Sequence, residues 1–261
     1  MNVLIFDIET IPDVDTGRKL YNLTNLNDEE VILAMMQLRR QDVEHDFLPH
    51  YLQRVVAISI VIRQNDSHRN KLKVWSLGEN TASESELIQR FFDGIDKLNP
   101  TLVSWNGTGF DLPVLHYRAL LHGIQAPRYF ETGDDDQAFR FNNYLNRYHN
   151  RHMDLMDILS AYQGRASASL DNITKMLGFP GKMGKSGAHV WQQYCTGEID
   201  DIRHYCETDV LNTYLVFLRF QLIRGKLTPV EYEAELTLLK HYLTEENKPH
   251  LAEFLQTWEK Q

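Results

Sequence analysis

The stretch Asn2-Val-Leu-Ile-Phe-Asp-Ile-Glu-Thr10 sets the reading of the whole chain. Its apolar run from Asn2 to Ile8 suits a buried strand. At the end of that strand, Asp7 and Glu9 stand two residues apart, so their side chains project from one face. A pair of carboxylates at that spacing builds a chelate for hard cations such as Mg²⁺ or Mn²⁺, which prefer oxygen ligands. Taken alone, the pair fits equally well two solvated acids at a strand end.

Outward from this strand, Val55–Arg63 and Lys71–Ser76 read as two further strands, Thr101–Trp105 as a fourth and His152–Leu155 as a fifth. Between the third and fourth, Ser83-x-x-Glu86 opens a helix as a capping box, with Leu87, Ile88, Phe91, Phe92, Ile95 and Leu98 on one face. Pro113 suits the first turn of another helix ending near Gly123. An insert after Pro12 carries a helix capped by Asn27-x-x-Glu30, whose Met35 and Met36 serve packing. A long helix is expected from about Asp201 to Arg224, stopping at Gly225. The tail opens on a second capping box, Thr228 to Glu231, and continues as a pair of acidic helices.

Two further segments carry polar chemistry. In Asn106-Gly-Thr-Gly-Phe-Asp-Leu-Pro113, a glycine-bearing loop delivers Phe110 and Asp111 to a helix start. The acid there is a cap or a ligand, and the ring offers a stacking surface for a terminal base. In His204-Tyr-Cys-Glu-Thr-Asp209, Tyr205 and Asp209 are i and i+4 on one helical face, a spacing that also occurs as an ordinary hydrogen bond. At about 100° per residue, Tyr205 lies about 40° from Asp209 around the axis and His204 about 140° away. His204 therefore reads as a solvated or packing residue.

Taken together, in order and spacing, these three motifs resemble the DEDD exonuclease superfamily in its tyrosine branch: an Asp-x-Glu strand, an Asn-x-x-x-Phe-Asp loop and a Tyr-x-x-x-Asp helix. They are similar to the proofreading exonuclease domains of B-family DNA polymerases and to stand-alone predicted exonucleases related to them. The resemblance spans about residues 1 to 220. It implies an α/β, RNase H-like fold: a mixed sheet of about five strands flanked by helices, with an inserted helix after the first strand and a C-terminal helical extension. One domain over 1–261 is expected, its core at about 1–225 and the extension at about 226–261.

The resemblance further implies that Asp7, Glu9, Asp111 and Asp209 hold two divalent ions, Mg²⁺ or Mn²⁺. Asp7 would bridge them, Glu9 and Asp209 would complete the water-activating site, and Asp111 would support the other ion. Tyr205 would orient the attacking water. The expected activity is 3′-to-5′ exonucleolytic cleavage of single-stranded DNA with release of nucleoside 5′-monophosphates. The alternatives are an exoribonuclease of the same fold and an inactive RNase H-like module that binds nucleic acid. Thr10, Asn106 and Phe110 are expected at the substrate, and a separate polymerase or repair complex is an open partner.

Composition sets limits on this reading. The formal charge of −9 on 261 residues disfavours a protein that coats DNA, but two divalent ions would offset four of those charges. Two cysteines, Cys195 and Cys206, fit neither a disulfide framework nor a zinc site. There is no basic leader, and the longest aliphatic stretch, around Val55 to Ile62, is too short for a membrane span, so a cytoplasmic location is expected. Gly178 to Gly184 has five intervening residues where a phosphate-binding P-loop needs four, and no strand feeds it. Lys182 and Lys185 in this loop either touch substrate phosphates or belong to a surface connection. Asp154 and Asp157 match no ligand motif and read as helix-start residues. In 125–151 the interleaved Arg140, Phe141, Tyr144, Arg147, Tyr148 and Arg151 fit single-strand binding or a helix with aromatics inward.

Overall fold

The computed structural model describes residues 2–66, 70–184 and 186–261. Five strands form one sheet in the order β3-β2-β1-β4-β5, comprising β1 (Asn2–Pro12), β2 (Gln53–Asn65), β3 (Asn70–Ser76), β4 (Thr101–Ser104) and β5 (His152–Asp154). β1, β2 and β3 run antiparallel in sequence, whereas β4 and β5 lie parallel to β1. This mixed sheet is the RNase H-like arrangement expected from the motifs.

The helices are α1 (Val14–Tyr21), α2 (Asp28–Asp42), α3 (Glu84–Leu98), α4 (Asp111–His122), α5 (Pro127–Phe130), α6 (Leu155–Leu159), α7 (Leu170–Met176), α8 (Val190–Thr196), α9 (Ile199–Ile223), α10 (Pro229–Glu246) and α11 (Pro249–Glu259). None is long and apolar enough to cross a membrane among the described residues.

Alternation along β1 sorts the two cores. Leu4, Phe6 and Ile8 pack with Leu87, Ile88, Phe91 and Leu115 of α3 and α4. Val3 and Ile5 face the other way, into a core shared with Leu211, Leu215 and Phe217 of α9. Asp7 and Glu9 continue that second face, so the row of residues under α9 changes from apolar to acidic toward the end of the strand. The register of β1 against β2 shifts between Glu9 and Thr10, a bulge that turns the strand end away from its regular pleat.

α9 is buried nearly all round, unlike an ordinary surface helix, because the sheet lies on one side and α7, α8, α10 and α11 surround it. Leu239, Leu243, Leu251, Phe254 and Trp258 bring the tail helices into the same core as Val3 and Ile5.

Local differences from the sequence expectations have physical reasons. The Asn27 and Thr228 capping boxes form completely, but at α3 only half does. Ser83 accepts from the Glu86 amide, while the Glu86 carboxylate turns to Arg90, one helical turn on. α1 has no apolar periodicity to announce it. Asp13 caps it, and Gly17 lets Met35 of α2 approach so closely that a Cβ would collide with the sulfur. Three short helices rather than two separate β5 from α9. In 125–151, Phe139 and Tyr144 turn inward while Phe141 and Tyr148 stay exposed, so the segment divides between packing and surface.

The tail is fastened by a buried ion pair. Arg63 of β2 donates from Nε and Nη2 to both oxygens of Glu235 in α10, at 2.7 and 2.6 Å, and the Tyr214 hydroxyl donates to the same carboxylate at 3.0 Å. Removing one partner of such a pair strands a charge without water. Glu235→Ala should therefore cost about 3–5 kcal/mol of stability in urea denaturation. A loss under about 1 kcal/mol would show that the site relaxes to admit solvent.

Candidate active site

β1, β4 and β5 are parallel, so their carboxyl ends open on one edge of the molecule, where α/β sheets place their ligand crevices. Glu9 closes β1, the loop 105–110 follows β4, and Asp154 ends β5. The loop is held from beneath. Asp154 accepts the Asn106 amide on Oδ1 and the Thr108 amide on Oδ2, both at 2.9 Å, while capping α6 through the Met156 and Asp157 amides. Asn106 takes a left-handed conformation, φ +66°, and its carbonyl accepts from both Gly109 and Phe110. The loop thereby delivers Asp111 to β1, where its Oδ1 accepts the Ile8 amide at 3.1 Å.

Asp7, Glu9, Asp111 and Asp209 meet at this edge. Glu9, Asp111 and Asp209 are 8%, 3% and 5% exposed, which leaves their charges little water. Burial raises the Asp7 carboxyl well above its ordinary range, and the charges of Asp111, Glu9 and Asp209 push it further. Glu9 is raised by burial and then by Asp209, and Asp209 itself is raised by burial against the opposing pull of Lys182. Asp111 is pushed up to about 7, again chiefly by burial, although its backbone hydrogen bonds pull the other way. Four buried like charges at one spot create a demand for positive charge.

Lys182 supplies part of it. Its ammonium donates to the Tyr205 hydroxyl at 2.6 Å and lies 3.1 Å from Asp209 Oδ2. Burial works against its charge, but Asp209, Asp7 and Glu9 outweigh that and hold it protonated. The loop carrying it is clamped onto α9: Asn212 accepts the Gly181 amide at 3.1 Å and donates back to the Gly181 carbonyl at 2.8 Å. Gly181 has φ +68°, and a Cβ there would come within 2.6 Å of Asp171, which accepts the Lys182 amide. The segment that fails as a P-loop thus aims its lysine at the acidic cluster. Lys185 lies outside the described residues.

Tyr205 is buried beside Asp209 on α9, and its phenol is raised far above the ordinary range by burial and by the carboxylates around it. His204 faces elsewhere. Its ring stacks on His250 of α11, with centroids 3.9 Å apart, and His250 is paired at 2.8 Å with Glu207. Glu207 in turn accepts from the Ser76 amide and hydroxyl, both at 2.9 Å. The helical-wheel separation of the two candidates is therefore realised, with the histidine committed to packing.

A cleft of 550 Å³ adjoins the acids, with Glu9, Thr10, Asn106 and Phe110 in its wall. Thr10 is tied to Gln53 through its hydroxyl at 3.0 Å. The far wall comes from the inserted segment: Phe47 lies 5.6 Å and His50 5.7 Å from the Phe110 ring, and His50 Nε2 donates to the Gly109 carbonyl at 2.9 Å.

Three contributors escaped the sequence reading. Asp154 was visible only as a helix start, because its hold on residues 106–108 needs the β4–β5 pairing. The insert's part in the cleft arises across a long separation in sequence. Cys206 sits 3.8 Å from Asp7 Oδ2, and its sulfur, Asp7 and Glu9 bring one ligand atom each within 4.8 Å of one another. Its i, i+3 spacing to Asp209 was the available signal.

Known proteins bear on the same question independently. The chain is 24% identical over 231 residues to the catalytic subunit of DNA polymerase epsilon from Saccharomyces cerevisiae, covering 84% of this chain and 9% of that protein. Its counterpart from Kluyveromyces lactis is 22% identical over 231 residues, with the same coverage. The chain thus spans about a tenth of the length of these relatives. Among solved structures, the family B DNA polymerase of the archaeon Pyrobaculum calidifontis matches with a TM-score of 0.47 and 17% identity, covering 85% of this chain and 24% of that one. Residues 45–258 match the predicted 3′-5′ exonucleases related to the exonuclease domain of PolB, and the chain belongs to that family.

Proposed function

We propose that this protein is a divalent-metal-dependent 3′-to-5′ exonuclease that removes nucleoside 5′-monophosphates from single-stranded DNA. The observation that carries this reading is the arrival of Asp7, Glu9, Asp111 and Asp209 from three separate elements at one buried point beside a cleft. The residues fit a pair of hard cations. They offer carboxylate oxygens, their raised protonation marks uncompensated negative charge, and Asp209 Oδ1 is buried with no hydrogen-bond partner among the described residues.

Asp7, Glu9, Asp111 and Asp209 are the residues that would hold the ions. Bound there, two divalent ions supply a nucleophile at neutral pH and stabilise charge on the leaving 3′ oxygen. The chain's own groups do the rest. Tyr205 remains a neutral phenol throughout, so it orients the attacking water and does not act as the base. Lys182 fixes the phenol from one side and adds positive charge where the scissile phosphate carries negative charge. Phe110 stacks on the terminal base, with Asn106 and Thr10 lining the nucleotide's place. DNA is preferred over RNA because the relatives are DNA polymerases. A separate polymerase or repair complex would be the source of frayed 3′ ends. The shared core of sheet and tail supports reading 1–261 as one unit, with 226–261 as its extension.

Incubation with 5′-labelled single-stranded DNA and RNA, followed by product sizing, tests the reading. Cleavage should require Mg²⁺ or Mn²⁺, shorten the strand from its 3′ end, spare a circular single strand and vanish in Asp7→Ala. Full activity in excess chelator, or efficient cutting of the circle, would sink it.

Tyr205→Phe should lower kcat by about 10- to 1,000-fold with little change in metal affinity, whereas His204→Ala should be mild. The reverse pattern in single-turnover kinetics would move water positioning to the histidine.

Proton linkage gives an independent check. A carboxyl raised in the folded state stabilises below its unfolded pKa, and that contribution is lost as pH rises through the folded value. In chelator, the melting temperature of the parent relative to Asp111→Asn should therefore fall between about pH 4 and pH 8, since Asp111 is raised to about 7. A pH-independent difference would show that Asp111 ionises normally.

A further inference from the structure

Cys206 has no part in the exonuclease chemistry, yet its thiol is buried against the acids that carry it. Its sulfur lies 3.4 Å from the Asp7 carbonyl oxygen and 3.8 Å from Asp7 Oδ2. One ligand atom each from Asp7, Glu9 and Cys206 falls within 4.8 Å of the other two. A second observation points to a cation at the same place. Asp209, one turn along α9 from Cys206, is 5% exposed, and its Oδ1 has no hydrogen-bond partner among the described residues.

The spacing fits one kind of ion. In a tetrahedral zinc site, with Zn–S of about 2.3 Å and Zn–O of about 2.1 Å, the sulfur and oxygen donors stand about 3.6 Å apart. The 3.8 Å between Cys206 Sγ and Asp7 Oδ2 matches that bite with almost no movement. An octahedral Mg²⁺ has no use for sulfur, whereas zinc-class ions gain from a soft ligand.

Resting on the reading of these carboxylates as a metal site, we infer that Asp7, Glu9 and Cys206 form a second ligand set, which captures a thiophilic divalent ion of the zinc class. This set shares Asp7 and Glu9 with the hard-cation set but replaces Asp111 and Asp209 with sulfur. The two kinds of ion are mutually exclusive, so a zinc-class ion is a competitor of Mg²⁺ or Mn²⁺. On binding, the thiol releases its proton to solvent and the sulfur bonds to the ion, with no change of oxidation state.

The test is a cadmium titration of the full chain, reading the ultraviolet thiolate-to-cadmium charge-transfer band. Cys195 is exposed and near Asp28 and Glu29, so the titration is made in a Cys195→Ser background. The expected result is a saturable band at one equivalent of Cd²⁺, lost when Cys206→Ser or Cys206→Ala is added and lowered as Mn²⁺ displaces cadmium. Far-ultraviolet circular dichroism verifies that at least one of the two Cys206 replacements is folded. No band in the Cys195→Ser protein, a band that survives both replacements, or a band indifferent to Mn²⁺ overturns the inference. Cleavage assayed in parallel separates the two ideas. Mg²⁺-supported activity that depends on Asp7, without a cadmium band, leaves the exonuclease standing and removes only the sulfur site. A cadmium band without cleavage does the opposite.

Discussion

Four carboxylates packed away from water on the edge of one sheet are the constraint around which this molecule is arranged. Left alone, they repel one another, and burial deprives them of the solvent that would screen that repulsion. The fold answers with devices that hold them in place regardless. Asp111 is tied to the β1 backbone, Asp209 is paired with Lys182, and Lys182 is held by a loop clamped to α9 through Asn212. Each tie lowers the cost of keeping like charges together but leaves the cluster short of positive charge. That residual shortage makes the site a receptor for cations.

Much of this was legible in the sequence, for identifiable reasons. Strand periods and apolar helix faces announced the five strands, α3, α9 and the tail pair, because they bury one face against a continuous core. The angle between Tyr205 and His204 followed from helix geometry alone, and His204 does stack on α11. What stayed hidden depends on contacts between distant segments. Asp154 supports the 105–110 loop only because β5 pairs with β4, and no local pattern predicts that. α1 lacks periodicity because it packs through a glycine. Lys182 was read as a phosphate contact, and its pairing with Tyr205 and Asp209 needed the fold of the Gly178–Gly184 loop.

The inserted segment after β1 bridges the two halves of the cleft. Phe47 and His50 lie against Phe110, and His50 holds the Gly109 carbonyl, so the loop that presents Asp111 is braced from above by the insert and from below by Asp154. Bracing from both sides matters for chemistry of this kind, because a displacement of about 1 Å in a reacting group is enough to lose most of the rate. The same contacts narrow the cleft with aromatic surface, on which bases of any identity can stack.

The hydrogen bond from the Ile8 amide to Asp111 Oδ1 has an evolutionary consequence. An asparagine at that position keeps the accepting oxygen and the shape, and it removes one of the mutually repelling charges. A single base change in the codon thus separates a nuclease from a folded relative in which one acid has been neutralised without loss of the strand-to-helix tie. Lineages that no longer need cleavage have a short and structurally gentle path to a protein that retains the cleft and its aromatic wall. Folded, strand-holding descendants of such an enzyme are an expected product of drift, and their inactivity would leave almost no trace in the backbone.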